Sequence, residues 1–483
     1  MLKASLSTIA LAVLLAGCAA VGPDHQTPAV ALDERFINAG ASGVNAQAPG
    51  EDIARFWRGF NDAKLDALIE RALAANTDVR LAQARLQEAR ALQGEADAAS
   101  RPGVGIDASA QRSVTPLSQQ PNASRSERTG NTFDAGFIAA WEIDLFGGIR
   151  RSREAAAAQV SASEAGLHAA HTAVAAEVAR YYLELRGLQE RLRVTEASLV
   201  NQRESLRITE ARFDAGRANQ LDVAGARALV ASTEAVLPAL QTQLDVTAYR
   251  LATLTAQAPR AVLADLALPQ PLPTLPVTDL ATLPVGTPQQ WLQRRPDVRA
   301  AERRLAAATA GIGIARSELY PRVSLSGLLG FNAPRLGDLF TSDAARYSLG
   351  VGLAWTPFDF GAIRSRIAAS EARAQQGLVQ FEQTVALALE ETEGAFSGFN
   401  RNAQRAQSLD AAARHADEAA QLARARFDGG VTDFQAVLLA EREALGIREQ
   451  LVQARVAQAG ALVAVYRAIG GGWIPTDQSQ AAR

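Results

Sequence analysis

Hydrophobic and polar residues alternate strictly in four short segments of the chain. These segments are Val104–Gln111, Phe133–Glu142, Val323–Phe331 and Tyr347–Trp355. A period of two over about ten residues predicts β-strands with one apolar face and one face of small or polar residues, as a membrane strand between lipid and a wet lumen requires. A half-buried soluble sheet has the same period, so the alternation alone leaves both structures open. Trp141 and Trp355 close equivalent strands and are the candidate membrane-interface aromatics.

Two other stretches have a helical period and contain no proline. They run from Gly147 to about Phe213 and from Gly361 to about Phe427. Each is about 67 residues long, which is on the order of 100 Å of α-helix. Such a length without internal caps predicts a coiled coil rather than the helices of a globular core.

Both long helices are predicted to end at the same turn. Gly216 and Gly430 stand where the C-terminus of a helix needs a residue with positive φ. A second helix then returns, from about Leu221 to Leu254 in the first case and from Phe434 to Ile469 in the second. Each half of the chain is therefore predicted to form an antiparallel helical hairpin with its turn far from the strands.

The strands and helices occur twice in the same order. Trp141–Arg150 returns as Trp355–Arg364, and Ala211–Gly216 returns as Ala425–Gly430, both 214 residues later. Eight prolines from Pro259 to Pro296 predict an extended connector between the two copies. The predicted organisation begins with a signal peptide (1–17) and a lipid anchor with an extended tether (18–60). The first repeat (61–258), the connector (259–288), the second repeat (289–473) and a tail (474–483) follow.

The N-terminus predicts the cell compartment. Lys3 precedes an apolar segment, and Leu15-Ala-Gly-Cys18 then places small residues before the only cysteine of the chain. This pattern is typical of a bacterial lipobox, cleaved before Cys18 and lipidated on its sulfur. An ordinary secretory signal with a chance cysteine is the alternative. Ala19 after the cysteine indicates the outer membrane as the destination.

Four strands cannot close a barrel with a lumen, because about eight strands are the lower limit. Open sheet edges are not tolerated in lipid. If the strands span a membrane, several chains must pool them, and three chains would give twelve strands, an even number as in bacterial barrels.

Little in the sequence indicates a catalytic or nucleic-acid-binding site. The formal net charge is −2, and there is no strongly basic patch and no Walker A sequence. His168 and His171 have the spacing of two metal ligands on a helix, but no third ligand is near them in sequence, so a solvated helix face is the preferred interpretation. We expect no enzyme, no metal centre and no nucleic-acid partner.

Several longer motifs resemble a known family. They are Arg294–Leu305, Ile314–Leu325, Trp141–Gly147, Tyr182–Leu192 and Ala468–Trp473. Together they resemble the outer membrane efflux lipoproteins of the OprM-like (NodT-type) branch of the TolC outer membrane factor superfamily. The resemblance implies a mixed α and β fold in a homotrimer, with a 12-stranded antiparallel transmembrane β-barrel that continues into a long α-helical coiled-coil barrel across the periplasm.

The resemblance also implies partners and site residues. The helical tips, with Gly216 and Gly430, would contact a periplasmic adaptor (membrane fusion protein), which joins the channel to an inner-membrane RND pump. An acidic residue three positions after the second tip glycine would narrow the periplasmic aperture, and Asp433 holds that position. The alternative role of Asp433 is a helix N-cap. The first half has Asn219 at the matching position, so no charge is expected at that position.

The function implied is a passive trimeric duct that exports small toxic compounds or drugs, lipid-anchored in the outer membrane, with no cofactor except the lipid on Cys18. Two alternatives stay open. One is the outer membrane duct of a type I secretion system, and the other is a structural periplasmic coiled-coil lipoprotein, which would have no use for four membrane-type strands.

Overall fold

The computed structural model describes residues 20–38, 51–280, 283 and 287–471 of the 483-residue chain. Two compact units form, each from parts of both repeats. The first unit contains the described residues up to Ala29, together with Arg85–Ser163 and Ala300–Phe381. The second unit contains the described residues of Val30–Ala84, of Glu164–Arg299 and from Glu382 to Gly471.

The described part of the chain is mainly helical, and its helices repeat in order and length. The helices are α1 (Glu51–Ala54), α2 (Ala63–Ala75), α3 (Thr77–Ala98), α4 (Gly148–Asp214), α5 (Gln220–Glu234), α6 (Val236–Leu254), α7 (Pro259–Asp265), α8 (Pro288–Arg294), α9 (Pro296–Ser317), α10 (Ala362–Asp428) and α11 (Phe434–Ala468). Short 3-10 turns lie at Phe56–Phe60, Leu336–Asp338 and Ser342–Ala344. Both long helices, α4 and α10, have 67 residues, within one residue of the predicted bounds at each end.

Four strands form one antiparallel sheet in the order β1-β2-β3-β4. They are β1 (Gly103–Val114), β2 (Thr129–Ile143), β3 (Arg322–Ala333) and β4 (Ala345–Ala354). Each predicted strand is present, and β1, β2 and β3 extend beyond the alternating segments. Arg112 and Asn131, which lie outside the alternating segments, pair with each other within the sheet.

The prediction of an extended connector was wrong at its two ends. Pro259 begins α7, while Pro288 and Pro296 begin α8 and α9. Proline is well tolerated at the first position of a helix, where its missing N–H needs no partner and its fixed φ suits the helix. Proline density therefore indicates helix starts here as well as extended chain.

The return arm of the first hairpin is also divided, because Pro238 cannot donate to the carbonyl of Glu234 at the junction of α5 and α6.

Buried polar side chains tie the helices of the second unit together. The buried Tyr182 hydroxyl donates to Asp62 at 2.6 Å and accepts from Arg186 Nε at 3.1 Å, and burial raises its pKa. Arg295 donates to the Ala468 carbonyl at 3.0 Å and to Glu391 at 2.7 Å. Burial acts to lower the pKa of Arg295, but its hydrogen bonds to Asp297 and Glu391 outweigh burial and raise it. These contacts satisfy groups that would otherwise be costly to bury.

Candidate functional site

One face of the sheet carries an apolar row that no other part of the described chain covers. Ile106, Phe137, Leu329 and Tyr347 lie side by side across the four strands. Their exposed fractions are 77%, 56%, 66% and 85%. Apolar side chains in a continuous row are normally covered in a soluble sheet, so this exposure favours a surface that lipid covers.

The opposite face of the same strands is polar. Asp134 on β2 accepts from Asn332 of β3 at 2.6 Å and from Arg346 of β4 at 2.8 Å. The neighbouring Gly136 and Gly330 oppose each other so closely that a Cβ at either position would meet backbone atoms within 3 Å. Small and charged residues on this face suit a wet lumen, as the alternation predicted.

The sheet is open within the described chain. β1 pairs only with β2, and β4 pairs only with β3, so each has an outer edge of unpaired backbone groups. Such edges cannot face lipid, because no water is present there to bond them. A second set of strands must complete the sheet if it lies in a membrane.

The two candidate interface tryptophans occupy equivalent positions. Trp141 lies two residues before the end of β2, and Trp355 directly follows β4. Each indole N–H donates at 3.0 Å to a carbonyl, that of Ser100 for Trp141 and that of Leu319 for Trp355. Both rings remain partly exposed, at 37% and 53%. A half-exposed ring with a satisfied N–H is the arrangement expected at a membrane interface.

The N-terminal segment is docked onto the first unit by a buried arginine. Val21 donates its N–H to the Phe146 carbonyl at 3.0 Å, just beyond the end of β2. Arg151, whose side chain is 5% exposed, binds the carbonyls of Val21 and Gly22 at 3.1 Å each and Asp24 at 2.7 Å. Cys18 itself lies outside the described residues. The docked segment from Val21 onward lies just beyond the end of β2.

Two further contacts hold the same segment. Gly22, with φ of +97°, packs on the backbone of Gly313, where a side chain at Gly22 would clash. His25 Nε2 lies 2.6 Å from the Glu302 carboxylate. Burial acts to raise the pKa of Glu302, but hydrogen bonds from Arg303 and His25 outweigh it and lower that pKa below its usual value. This described part of the predicted tether is therefore bound to the protein by Arg151, Gly313 and Glu302.

A second anchor for the tether lies in the second unit. Phe36, 5% exposed, packs edge-on against Trp291 and Phe396 with ring centroids 5.6 and 5.3 Å apart. The Glu393 carboxylate accepts from the backbone N–H groups of residues 37 and 38 at 2.7 and 3.0 Å. Sequence reasoning missed both residues, because the tether has no periodicity and Glu393 is one of many charged residues on a long helix.

The two predicted tip glycines adopt the backbone that the sequence required. Gly216 has φ of +72° and Gly430 has φ of +70°. At the first tip, Gly216 N–H bonds the Phe213 carbonyl at 2.8 Å and Arg217 N–H bonds that of Arg212 at 2.7 Å, and the second tip repeats this pair of bonds. This is the Schellman arrangement, which satisfies the last carbonyls of α4 and α10.

Both return arms begin at a capped residue. Asp433 is the N-cap of α11, and its carboxylate accepts from Ala436 N–H at 3.3 Å. Asn219 is the N-cap of α5, and its side chain accepts from the Asp222 N–H at 2.9 Å. The Asp222 carboxylate accepts from the Asn219 N–H in return, which forms a capping box. The position that matches Asp433 is therefore uncharged, and the first hairpin has its carboxylate, Asp222, three residues further along the return arm.

Ion pairs with opposite polarity link the arms of the two hairpins. In the first hairpin, Arg203 of α4 pairs with Glu234, and Glu210 pairs with Arg227, at 2.6 and 2.7 Å. The residues 214 positions later, Asp417 with Arg448 and Arg424 with Glu441, form the same pairs with their charges exchanged. Exchanging the return arms would bring like charges together, so the pairs specify which arm lies beside each long helix.

A polar cavity of about 360 Å³ lies among α4, α10 and α11 near these pairs. Gln202 lines it, and neither polar atom of that side chain has a hydrogen-bond partner within the described part of the chain. One carboxylate oxygen of Glu441 is buried without a partner in the same region. Unsatisfied buried groups cost free energy, so this packing is less stable than an apolar core.

Comparison with known proteins connects these features. The sequence pattern of the family described as Outer membrane efflux protein matches residues 68–257 and 287–471. The chain belongs to this outer membrane efflux protein family. The pyoverdine export outer membrane protein OpmQ of Pseudomonas putida is 34% identical over 87% of this chain and 88% of its own length. Outer membrane protein OprJ of Pseudomonas aeruginosa is 30% identical over 97% of this chain and 96% of its own. The solved outer-membrane channel OprN is 40% identical, covers 94% of this chain and 100% of its own, and superposes with a TM-score of 0.87.

The efflux protein family match confirms the recognition and the fold predicted from the sequence. The two matched segments coincide with the two repeats, so each copy by itself carries the family pattern. The described helices and strands supply the long helical part and the four strands per chain that this fold requires.

One stretch in the described part of this efflux protein, Gln220–Leu254, is long and apolar enough by composition to cross a bilayer, because an 18-residue segment of it has a mean hydropathy of 1.3. In the structure the stretch is the return arm α5–α6, and 28% of its apolar window is buried within the chain. Leu221, Val246 and Tyr249 on it are exposed. We interpret it as a hairpin arm that packs against other helices, since its ion pairs place it beside α4.

Among the described residues, no group of three or more His, Cys, Asp or Glu side chains could hold a metal ion. His168 and His171 are half-buried rather than solvated, and burial lowers the pKa of each. The interpretation of these two histidines as part of a solvated helix face was therefore wrong.

Proposed function

We propose that this protein is the outer membrane channel of a tripartite RND-type efflux system, a passive duct for small toxic compounds or drugs. The observation that carries the proposal is the uncovered apolar face of the duplicated strands, in a chain of the outer membrane efflux protein family. OpmQ, named for pyoverdine export, and the solved channel OprN are relatives of the same kind. The chain's role is conduction, with no catalytic step of its own.

The working form is a homotrimer in the outer membrane. Three chains pool twelve strands, which closes both open edges of each sheet and gives an even-stranded barrel. The three pairs of helical hairpins line the periplasmic part of the duct. The partly buried return arm α5–α6 supports this assembly, because Leu221 and Val246 have apolar surface for a neighbouring helix to cover.

Anchor, gate and partners complete the proposal. Cys18 carries the lipid, and the docked segment from Val21 holds the anchor beside the strand ends. The turns at Gly216 and Gly430 contact a periplasmic adaptor, which connects the duct to the inner-membrane pump. Asp433 contributes a ring of three carboxylates to the periplasmic aperture.

Two neighbouring residues of β4 provide the test. Leu349 lies on the apolar face and Ser348 on the polar face, and both are exposed in the chain. Arginine at position 349 should cost about 2–4 kcal/mol in lipid, so Leu349→Arg should lose membrane insertion. Ser348→Arg points to the lumen and should insert normally.

The measurement is the amount of heat-modifiable protein in the outer membrane, with accumulation of a fluorescent pump substrate in cells lacking the native gene as the functional readout. Wild type and Ser348→Arg should restore export, and Leu349→Arg should not. A soluble sheet would tolerate both substitutions equally, and equal insertion of the two variants would contradict the proposal.

A further inference from the structure

One arginine stands on the apolar side of the sheet, at the end that carries the hairpin loops. Arg112 is in β1, six residues beyond Ile106 of the apolar row, and an even number of steps keeps it on the same face. The pairing of β1 with β2 is continuous from Gly103 to Val114, so no bulge turns Arg112 to the polar face. Arg112 is exposed, and its guanidinium has no hydrogen-bond or ion-pair partner among the described residues.

The register of the sheet gives the depth of Arg112 in a membrane. Trp141, the interface residue of β2, lies one residue beyond Ala140, which is the partner of Gly103. Arg112 is therefore ten residue steps from the level of Trp141, which is about 33 Å along the strand. A strand tilt of about 40° reduces this to about 25 Å along the membrane normal, the height of the apolar band of a bacterial barrel. With Trp141 at one interface, Arg112 lies at the other.

The connections of the strands identify this second interface as the outer one. The opposite ends of the four strands join the helices α3, α4, α9 and α10, which belong to the periplasmic part of the proposed duct. The hairpin loops after Val114 and Ala333 therefore face the outside of the cell. The lipid of that leaflet, lipopolysaccharide, carries phosphate groups on its sugar head group just above the acyl chains. Arginine at this level can bind such an anionic head group.

Two further polar residues lie beside Arg112 at the same level. Asn131 of β2 is its partner in the ladder, and the exposed Asn131 amide has no hydrogen bond within the described chain. The register of β2 with β3, continued by two residues, brings Arg335 opposite Asn131, in extended backbone. Neighbouring strands are about 4.8 Å apart, so the two arginines stand about 10 Å apart with the amide between them. Their long side chains can converge on one phosphate, which a guanidinium binds through paired N–H groups.

The nearest acidic residues do not neutralise this cluster. Asp338 is 3.9 Å from Arg335, and both side chains are more than half exposed, so this ion pair contributes little. Glu127, the acidic residue of the β1–β2 loop, accepts hydrogen bonds within its own loop. The ring of Phe340, 73% exposed, packs edge-on against Phe331 of the apolar face with centroids 5.5 Å apart. It extends the surface available to an acyl chain on the β3–β4 loop.

We infer that Arg112, Asn131 and Arg335 bind a phosphate group of lipopolysaccharide in the outer leaflet, with its acyl chains against the apolar face of the sheet. The inference rests on the proposed function, because it requires the sheet to span the outer membrane with its hairpin loops outward. The positive charge, the depth and the uncovered apolar face together select a phosphorylated lipid as the occupant. The trimer has three copies of the site, and each fixes the height of the barrel in the outer leaflet.

Binding of purified lipid A, the phosphorylated membrane part of lipopolysaccharide, tests the inference. The full-length trimer in mild detergent is titrated with bisphosphorylated lipid A, and the bound lipid is counted by native mass. Up to three molecules should bind with higher affinity than dephosphorylated lipid A or phosphatidylethanolamine. Arg112→Gln and Arg335→Gln should each raise the Kd of bisphosphorylated lipid A about tenfold, the loss of one charge-assisted contact. The same spectra show whether each variant is still a trimer, and either variant alone suffices for the test.

Arg125→Gln is the matched control. Arg125 is an exposed arginine whose side chain also has no partner in the described chain, but it lies in the loop beyond the end of the β1–β2 ladder. Its substitution should leave lipid A binding unchanged. Equal binding of phosphorylated and dephosphorylated lipid A by the wild-type trimer, or an equal loss in Arg125→Gln and Arg112→Gln, overturns the inference and leaves the proposed function standing. Wild-type protein that forms no trimer refutes the proposed function itself.

Discussion

Asp433 combines two proposed roles that a single substitution can separate. Its carboxylate caps α11, and three copies of it are proposed to charge the periplasmic aperture. Replacing it by asparagine removes the charge and keeps an oxygen for the cap. Replacing it by alanine removes both. Asn219 shows that asparagine caps the equivalent turn of the first hairpin, at 2.9 Å from its N–H partner.

The structure sets the expected size of the capping effect. The Asp433 carboxylate accepts one long hydrogen bond, from the Ala436 N–H at 3.3 Å. It forms no capping box of the kind that Asn219 forms with Asp222. Loss of the cap in Asp433→Ala should cost about 0.5–1 kcal/mol, at the low end for N-caps. Asp433→Asn should change the free energy of unfolding by only a few tenths of a kcal/mol, because Asn and Asp cap about equally well.

Loss of the Asp433 charge should affect the ion selectivity of the channel more than its free energy of unfolding. At an assumed distance of about 8 Å, three carboxylates would attract a passing cation by about 1.5 kcal/mol in water before screening. Screening at physiological salt leaves about a third of this, which is roughly a twofold to threefold change in local cation concentration. Asp433→Asn and Asp433→Ala should both lose that much cation preference in planar bilayers, measured as the reversal potential in a salt gradient.

Comparison of the variants identifies the role. Reduced cation preference in both variants, with a lower melting temperature only for Asp433→Ala, is the expected result. Asn219→Ala should lose its cap with little change in selectivity. If Asp433→Asn keeps the wild-type reversal potential and conductance, the aperture role is refuted and the residue is only a cap.

Other substitutions test the turn, the tether and the pH dependence. Gly430→Ala places a Cβ on a residue in the left-handed region and should lower the free energy of unfolding by about 1–2 kcal/mol. Gly446 lies inside α11 with open space around it, so the control Gly446→Ala should raise the free energy of unfolding by about 0.5–1 kcal/mol. Phe36→Ala should expose the tether to limited proteolysis, while Ile37→Ala, at a residue 81% exposed, should not. The pKa of Glu302 is lowered below its usual value of 4.5. The ionised Glu302 therefore contributes its full stabilisation above pH 4.5, and this contribution is lost as the pH falls through the pKa of the folded state. Glu302→Gln should flatten this part of an acid-unfolding curve.

Periodicity predicted the regular elements well. Each end of α4 and α10 lies within one residue of its prediction, because a long proline-free stretch ends at a glycine whose φ is positive. The strands were found from their alternation, but their ends were not, since Arg112 and Asn131 continue the ladder where the pattern becomes polar. The connector was predicted poorly, because proline both excludes helix interiors and favours helix starts.

The residues of the candidate site could be predicted only where the sequence repeats. Trp141, Trp355, Gly216 and Gly430 stand at equivalent positions, and the duplication pointed to them. The ion pairs with exchanged charges could have been found in the same way, by looking for opposite signs 214 residues apart. Phe36 could not, because its environment is made by Trp291 and Phe396, which are distant in sequence and follow no shared period with the tether.

A native mass measurement of the protein extracted from the outer membrane in mild detergent tests the central claim most directly. The proposed architecture predicts a complex of three chains, each beginning at Cys18 and heavier than its sequence by the mass of its acyl chains. A folded monomer would contradict the trimeric duct, because four strands with two open edges cannot span a bilayer. A trimer with an unmodified Cys18 would support the duct and refute the lipid anchor.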